Sequence, residues 1–209
     1  MFVFLDYDGT LIKTKEEIFQ ENYFKKFLKH TGIKDNNIIR IILECTSELV
    51  KSTEEKENNL AFFMEKLSEK AGNTSEYWYN LFMEFYESEF SSLKTVIEPN
   101  YELLEAVKSS DEKFIFASNP VFPQIAVRKR MDFIDMKEED FLYVSFMENS
   151  KYCKPNKEYF EEVLNKLNIK SSECVMIGDT DFDKASVNAG IRFIHVDDEE
   201  NWKKILKKR

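Results

Sequence analysis

A gap in the strand pattern constrains this chain more than any other feature. Phe2, Val3, Phe4 and Leu5 form a short apolar run that reads as a strand, and residues 14 to about 92 then hold no convincing strand. Past residue 95 the texture changes. Short apolar runs at 113–117, within 141–146, at 174–177 and at 193–196 alternate with helical patterns at 101–108 and 157–167. Alternation of this kind specifies a parallel sheet with crossover helices. Counting the first strand, five strands are expected.

The gap reads as helix. Ile18, Phe19, Tyr23, Phe27 and Leu28 recur near helical spacing, with Gly32 as a stop. Residues 38–50 are apolar with polar residues after them. Leu60, Phe63, Met64 and Leu67 repeat the spacing ahead of Gly72, and Trp78, Leu81, Phe82, Phe85 and Tyr86 repeat it again. Four amphipathic segments with short connections make a small bundle, and their aromatic stripes read as core. The expected organisation is an α/β core from residues 1–13 and 95–209, interrupted after its first strand by an all-α block at 14–94.

Composition narrows the function classes. Gly (5) and Pro (4) are scarce, which argues against disorder and long linkers. No apolar run approaches the roughly 18–20 residues of a bilayer span, and residues 2–5 are too short for the apolar core of a leader. A cytoplasmic protein without a membrane partner is expected. The net charge of −9 argues against general nucleic-acid binding, which needs a basic face. Any anionic ligand must then be drawn in by a local cluster rather than by the global field. The run Arg128-Lys129-Arg130 and the basic tail at 203–209 read as solvated helix faces. Cys45, Cys153 and Cys174 cannot all pair and lack metal-ligand spacing, so free thiols are expected.

The first strand runs straight into Asp6-Tyr7-Asp8-Gly9-Thr10. Side chains alternate along a strand, so Asp6 and Asp8 point the same way. Gly9 permits a positive φ or a close backbone approach. Two acids ending a buried strand are costly unless compensated. Mg2+ with a phosphate would compensate them, because it prefers a few carboxylates plus substrate oxygens. The plain alternative is an acidic turn after an edge strand.

DYDGT resembles the first motif of the haloacid dehalogenase-like (HAD) hydrolase superfamily, and three further segments are similar to the remaining motifs in order. The strand at 113–117 ends in Ser118 and Asn119, Lys154-Pro155-Asn156 leads to Phe160, and the strand at 174–177 is followed by Gly178, Asp179 and Asp183. The resemblance spans residues 6 to 183. It implies a Rossmann-like core with a helical cap inserted after the first motif, in the phosphatase branch that includes phosphoglycolate phosphatases.

The roles that follow are those the resemblance implies. Asp6 would be the nucleophile that forms an aspartyl-phosphate, and Asp8 the general acid and base. Dehalogenating relatives lack an acid at the place of Asp8, so that reaction is disfavoured. Asp6, Asp179 and the backbone carbonyl of Asp8 would hold Mg2+, with Asp183 as an auxiliary metal acid or as a support behind the ligands. Ser118, the Asn119 backbone and Lys154 would bind the phosphate, with Pro120 at a helix start. Lys151 is the near competitor of Lys154 but lacks the KPxxxxF setting. The plain readings are helix-terminal acids for Asp179 and Asp183 and a strand-to-helix cap for Ser118. Arg40, inside the apolar stretch of the insert, reads as a surface arginine, with contact to a substrate anion as the alternative. His30 and His195 read as structural or exposed.

The expected activity is a Mg2+-dependent phosphohydrolase acting on a small phosphorylated metabolite. The expected assembly is a monomer or weak homodimer. A phosphomutase on the same motifs is the first alternative, and a non-catalytic binding module on the same fold the second.

Overall fold

The apolar runs pair as one parallel sheet of five strands. A computed structural model describes residues 1–207. The last two residues of the basic tail lie outside that range. The strands are β1 (Phe2–Leu5), β2 (Lys113–Phe116), β3 (Tyr143–Val144), β4 (Cys174–Gly178) and β5 (Arg192–His195), in the order β3-β2-β1-β4-β5. Leu5 lies opposite Phe116 on one side and Ile177 on the other. The chain therefore leaves β1, β2 and β4 at one edge, and Asp6, Ser118 and Asp179 emerge together there.

Period-two alternation divides β1 between two apolar layers. Val3 and Leu5 pack with Phe116, Val175 and Ile177 beneath α5 (Tyr101–Ser109) and α9 (Glu199–Leu206). Phe4 packs with Ile115 and Met176 beneath α7 (Lys157–Leu167). Both faces are covered, which explains why these strands read as continuous apolar runs.

The helical block comprises α1 (Glu16–Thr31), α2 (Asn37–Lys51), α3 (Asn59–Ala71), α4 (Ser75–Ser88) and a 3₁₀ turn over Phe90–Val96. Gly32 closes α1 in the left-handed region, with its N–H donated to Leu28 O. The side chains of Asn58 and Thr74 cap α3 and α4. Phe27, Leu49, Leu67, Phe85 and Phe90 are fully buried at the centre of this block. The chain enters and leaves it through a paired joint. Lys13 N donates to Glu98 O at 2.7 Å, Glu98 N donates to Thr14 Oγ1 at 2.7 Å, and Ile12 bridges Pro99.

The apolar centre of the block is continuous with the sheet domain. Ala126 and Phe133 of α6 (Gln124–Phe133), with Met147 and Cys153, belong to the same cluster. The helix after β2 opens at Gln124 behind Pro123, not at Pro120. Likewise α7 opens at Lys157, two residues past Pro155. The turn after β4 is the four-residue α8 (Asp181–Lys184). No helix among the described residues is long and apolar enough to cross a membrane.

Candidate active site

Asp6 is held at the strand edge by its own amide, which donates to Ile177 O at 3.1 Å. Its carboxylate is buried against Lys154, whose Nζ donates to Asp6 Oδ1 at 2.7 Å and to Asp183 Oδ1 at 2.5 Å. Asn119 fixes the lysine backbone. Its side chain accepts from Lys154 N at 3.1 Å and donates to Lys154 O at 3.2 Å. Asn119 thus positions Lys154 through its side chain, a role distinct from the backbone donor expected of it.

Asp183 organises the turn after β4. Its Oδ2 accepts from Asp179 N, Thr180 N and Thr180 Oγ1 at 3.0–3.2 Å. Both of its oxygens are thereby committed, one to Lys154 and one to the turn. Gly178 is required next to it, because a Cβ there would lie 2.4 Å from Asp183 Cβ. Asp179 is half-buried and accepts from Thr10 Oγ1 at 3.5 Å. Gly9, at φ +72°, lets the backbone approach it. A Cβ on Gly9 would lie 2.1 Å from Asp179 Oδ2. The His195 ring nitrogen Nε2 lies 2.9 Å from Asp179 O, so this histidine braces the same turn.

Asp8 meets a residue that the sequence reading placed in solvent. Arg130 is 1% exposed, and its NH2 donates to both oxygens of Asp8 at 2.5 Å. Its NH1 donates to Ser118 Oγ at 3.3 Å, and Tyr7 Oη donates to its backbone carbonyl at 2.8 Å. The guanidinium lies over the Tyr7 and Phe122 rings at 4.2 and 4.9 Å. A signal was present in the sequence. Arg130 shares a helical face with the buried Ala126, Val127 and Met131, so the basic run contains one residue on the apolar stripe.

Burial pushes Asp6 up to about 7, against the opposing pull of Lys154. Burial also pulls on Lys154, but Asp6 and Asp183 more than offset it and hold the ammonium above its ordinary value. Arg130 follows the same logic, with Asp8 as the offsetting charge. Asp179 is raised by burial and by Asp183. Four carboxylates thus face two cations.

Oxygens of Asp6, Asp179 and Asp183 lie within 4.8 Å of one another. All three could contribute to a metal site, and Asp183 also braces Lys154 and the turn. An all-oxygen donor set with excess negative charge fits a hard divalent cation.

A cavity of about 560 Å³ opens over this edge of the sheet and is lined by Asp6, Asp8, Asn119, Arg130, Lys154 and Asp179. Ser118 and Asp183 stand behind that wall. Arg40 is exposed and paired with Glu44, away from the cavity. Lys151 also lies off that wall, its backbone N donating to the Glu162 carboxylate. Cys153 is buried beside Lys154, where burial pushes its thiol up to about 12 and keeps it inert.

The family model described as haloacid dehalogenase-like hydrolase matches residues 3–196. No curated protein matches the chain in sequence. Several solved structures share its fold. A HAD family enzyme from Bacteroides thetaiotaomicron, in complex with magnesium and inorganic phosphate, is 18% identical over 93% of this chain and 92% of its own, with a TM-score of 0.52. A 2-haloacid dehalogenase from Pseudomonas syringae pv. Tomato is 20% identical over 93% of this chain and 85% of its own, with a TM-score of 0.58. A candidate β-phosphoglucomutase from Thermotoga maritima is 26% identical over 92% of this chain and 83% of its own, with a TM-score of 0.52. The family match runs from β1 through β5 and takes in every residue of the acid cluster, so this chain belongs to the haloacid dehalogenase-like hydrolases.

Proposed function

We propose that this chain is a Mg2+-dependent phosphohydrolase that works through an aspartyl-phosphate on Asp6. The observation that carries the reading is the buried Asp6–Lys154 pair at 2.7 Å, set at the cavity wall with Asp8 alongside. Asp6 and Asp179, with the Asp8 carbonyl that the resemblance implies and Asp183 as the auxiliary acid, would hold Mg2+. Bound there, the ion would neutralise charge on the transferring phosphoryl group.

The remaining chemistry belongs to the chain. An Asp6 oxygen attacks phosphorus, and the bond from phosphorus to the ester oxygen breaks. Asp8, turned from Arg130 and protonated in the substrate complex, gives its proton to that leaving oxygen. Water then attacks the phosphorus of the acyl-phosphate, Asp8 takes the water's proton, and Asp6 is released with inorganic phosphate. Lys154 holds Asp6 in line and offsets its charge. Arg130 steers Asp8. A halide leaves without a proton, so dehalogenation gives Asp8 no leaving group to protonate, and its presence favours the phosphate ester. The helices α1–α4 would cover the reacting edge and exclude bulk water.

The test is hydrolysis of p-nitrophenyl phosphate. Activity is expected with Mg2+, none after chelation, and recovery on adding the metal back. Undiminished turnover in chelator would refute the metal assignment.

A further inference from the structure

The wall of the cavity is divided by chemistry. The acids and both cations sit at the sheet edge, and the helical side is apolar, formed by Phe24, Ile42, Leu43, Phe63, Met64 and Phe82. Resting on the phosphatase reading, we infer that the substrate is a phosphate monoester whose alcohol part is an apolar body, aromatic or alkyl, rather than a sugar or a hydroxy acid.

Size and polarity both support this. A cavity of about 560 Å³ is far larger than one phosphate needs and falls inside the roughly 300–1,000 Å³ typical of small-molecule sites. A sugar filling it would bring several hydroxyls, each needing a partner once out of water. The helical wall supplies few. The Tyr23 and Tyr86 hydroxyls are buried and bonded to each other at 3.0 Å. Thr46 Oγ1 donates to Ile42 O at 2.9 Å. Gln20 is the one neutral side-chain amide left on that wall among the described residues.

Charge excludes a second anionic group by the same accounting. The cavity's only cations among the described residues are Lys154 and Arg130, both paired with carboxylates at the phosphate end. Glu16 is the one charged residue on the helical wall and would repel a carboxylate or a second phosphate. Most of the available recognition energy is therefore apolar burial, added to the phosphate contacts.

The test compares 2-(1-naphthyl)ethyl phosphate with glucose 6-phosphate and 2-phosphoglycolate, all esters of primary alcohols, in the presence of Mg2+. Acetyl phosphate, which has almost no body, reports on the chemistry alone. Binding is measured separately by calorimetry with 2-(1-naphthyl)ethylphosphonate against methylphosphonate. The naphthylethyl ester should exceed the two polar esters in kcat/KM by roughly tenfold or more. The naphthylethyl phosphonate should bind more tightly than methylphosphonate, with a negative heat-capacity change. Leu43 is 38% exposed and tolerates a polar replacement, so Leu43→Gln should lower kcat/KM for the naphthylethyl ester roughly three- to tenfold. Equal or better use of glucose 6-phosphate, or equal binding of the two phosphonates, would overturn the inference. If acetyl phosphate were still hydrolysed, the phosphatase reading would survive that result. Failure to hydrolyse any of the four would instead sink the phosphatase reading, and the calorimetry would still decide what the cavity binds.

Discussion

The Arg130 guanidinium is gripped on three sides, by the Tyr7 and Phe122 rings, by Ser118 Oγ and by both oxygens of Asp8. A planar fork of donors matches a carboxylate in a way that an ammonium does not. Arg130→Met should therefore free Asp8 to swing and lower kcat/KM for p-nitrophenyl phosphate roughly 10- to 100-fold. Stability should fall by about 1–3 kcal/mol in a denaturant melt. This is below the usual cost of breaking a buried pair, because water reaches Asp8, which is 44% exposed. Arg130→Lys should recover little of the activity. Wild-type kcat/KM in either variant would remove Arg130 from the account. Asp6, Asp8 and Asp179 were legible because each follows a short strand, a local signal, whereas Lys154, which lies ahead of α7, was read from the resemblance. Arg130 was not legible, because its partners Asp8 and Tyr7 lie 122 and 123 positions away and a basic run reads locally as solvent-facing.

At the scale of elements, β4 and α8 form one device. Gly178 ends the strand, Thr180 and Asp183 close the capping box of α8, and Asp183 reaches back to Lys154. Gly178→Ala would place a methyl group 2.4 Å from Asp183 Cβ and force the carboxylate aside. The expected cost is about 1–3 kcal/mol of stability, with roughly 100-fold lower kcat/KM as Lys154 loses one anchor. A variant that melts and turns over like the wild type would show that Asp183 does not position Lys154. The long helices and the strands β1, β2 and β4 were readable because burial writes a clear apolar period into them. The edge strand β3 keeps only Tyr143–Val144 of the apolar run expected within 141–146, and α8, fixed by polar capping, leaves no apolar period. The start of α6 was misplaced because Pro120 and Pro123 carry the same local signal, and only the turn between them decides.

Across the whole molecule, the helical block is pinned to the sheet domain as well as joined to it. Asn59, at the start of α3, donates its amide N–H to Ser150 O at 2.8 Å and its side-chain amide to Pro120 O at 3.2 Å. Asn156 Nδ2 donates to Val50 O at 2.8 Å. These bonds hold the apolar wall of the cavity over the acids. Asn59→Ala should cost about 1–3 kcal/mol by stranding buried acceptors. It should also speed hydrogen exchange at the backbone around residues 150–154. Unchanged exchange there would mean that the block is held by apolar packing alone. The existence of a helical insert was legible from the missing strands. The strand order and the pinning contacts were not, since periodicity reports which face is buried and says nothing of what buries it.

The central claim is that Asp6 carries the phosphoryl group. Its most direct test is acid quench during turnover of acetyl phosphate with Mg2+, followed by borohydride reduction and peptide mapping. Homoserine is expected at position 6 and nowhere else, in greater yield from Asp8→Asn, whose second step is slowed, and absent from Asp6→Asn. Steady hydrolysis with no reduced residue at position 6, in both the wild type and Asp8→Asn, would contradict the account.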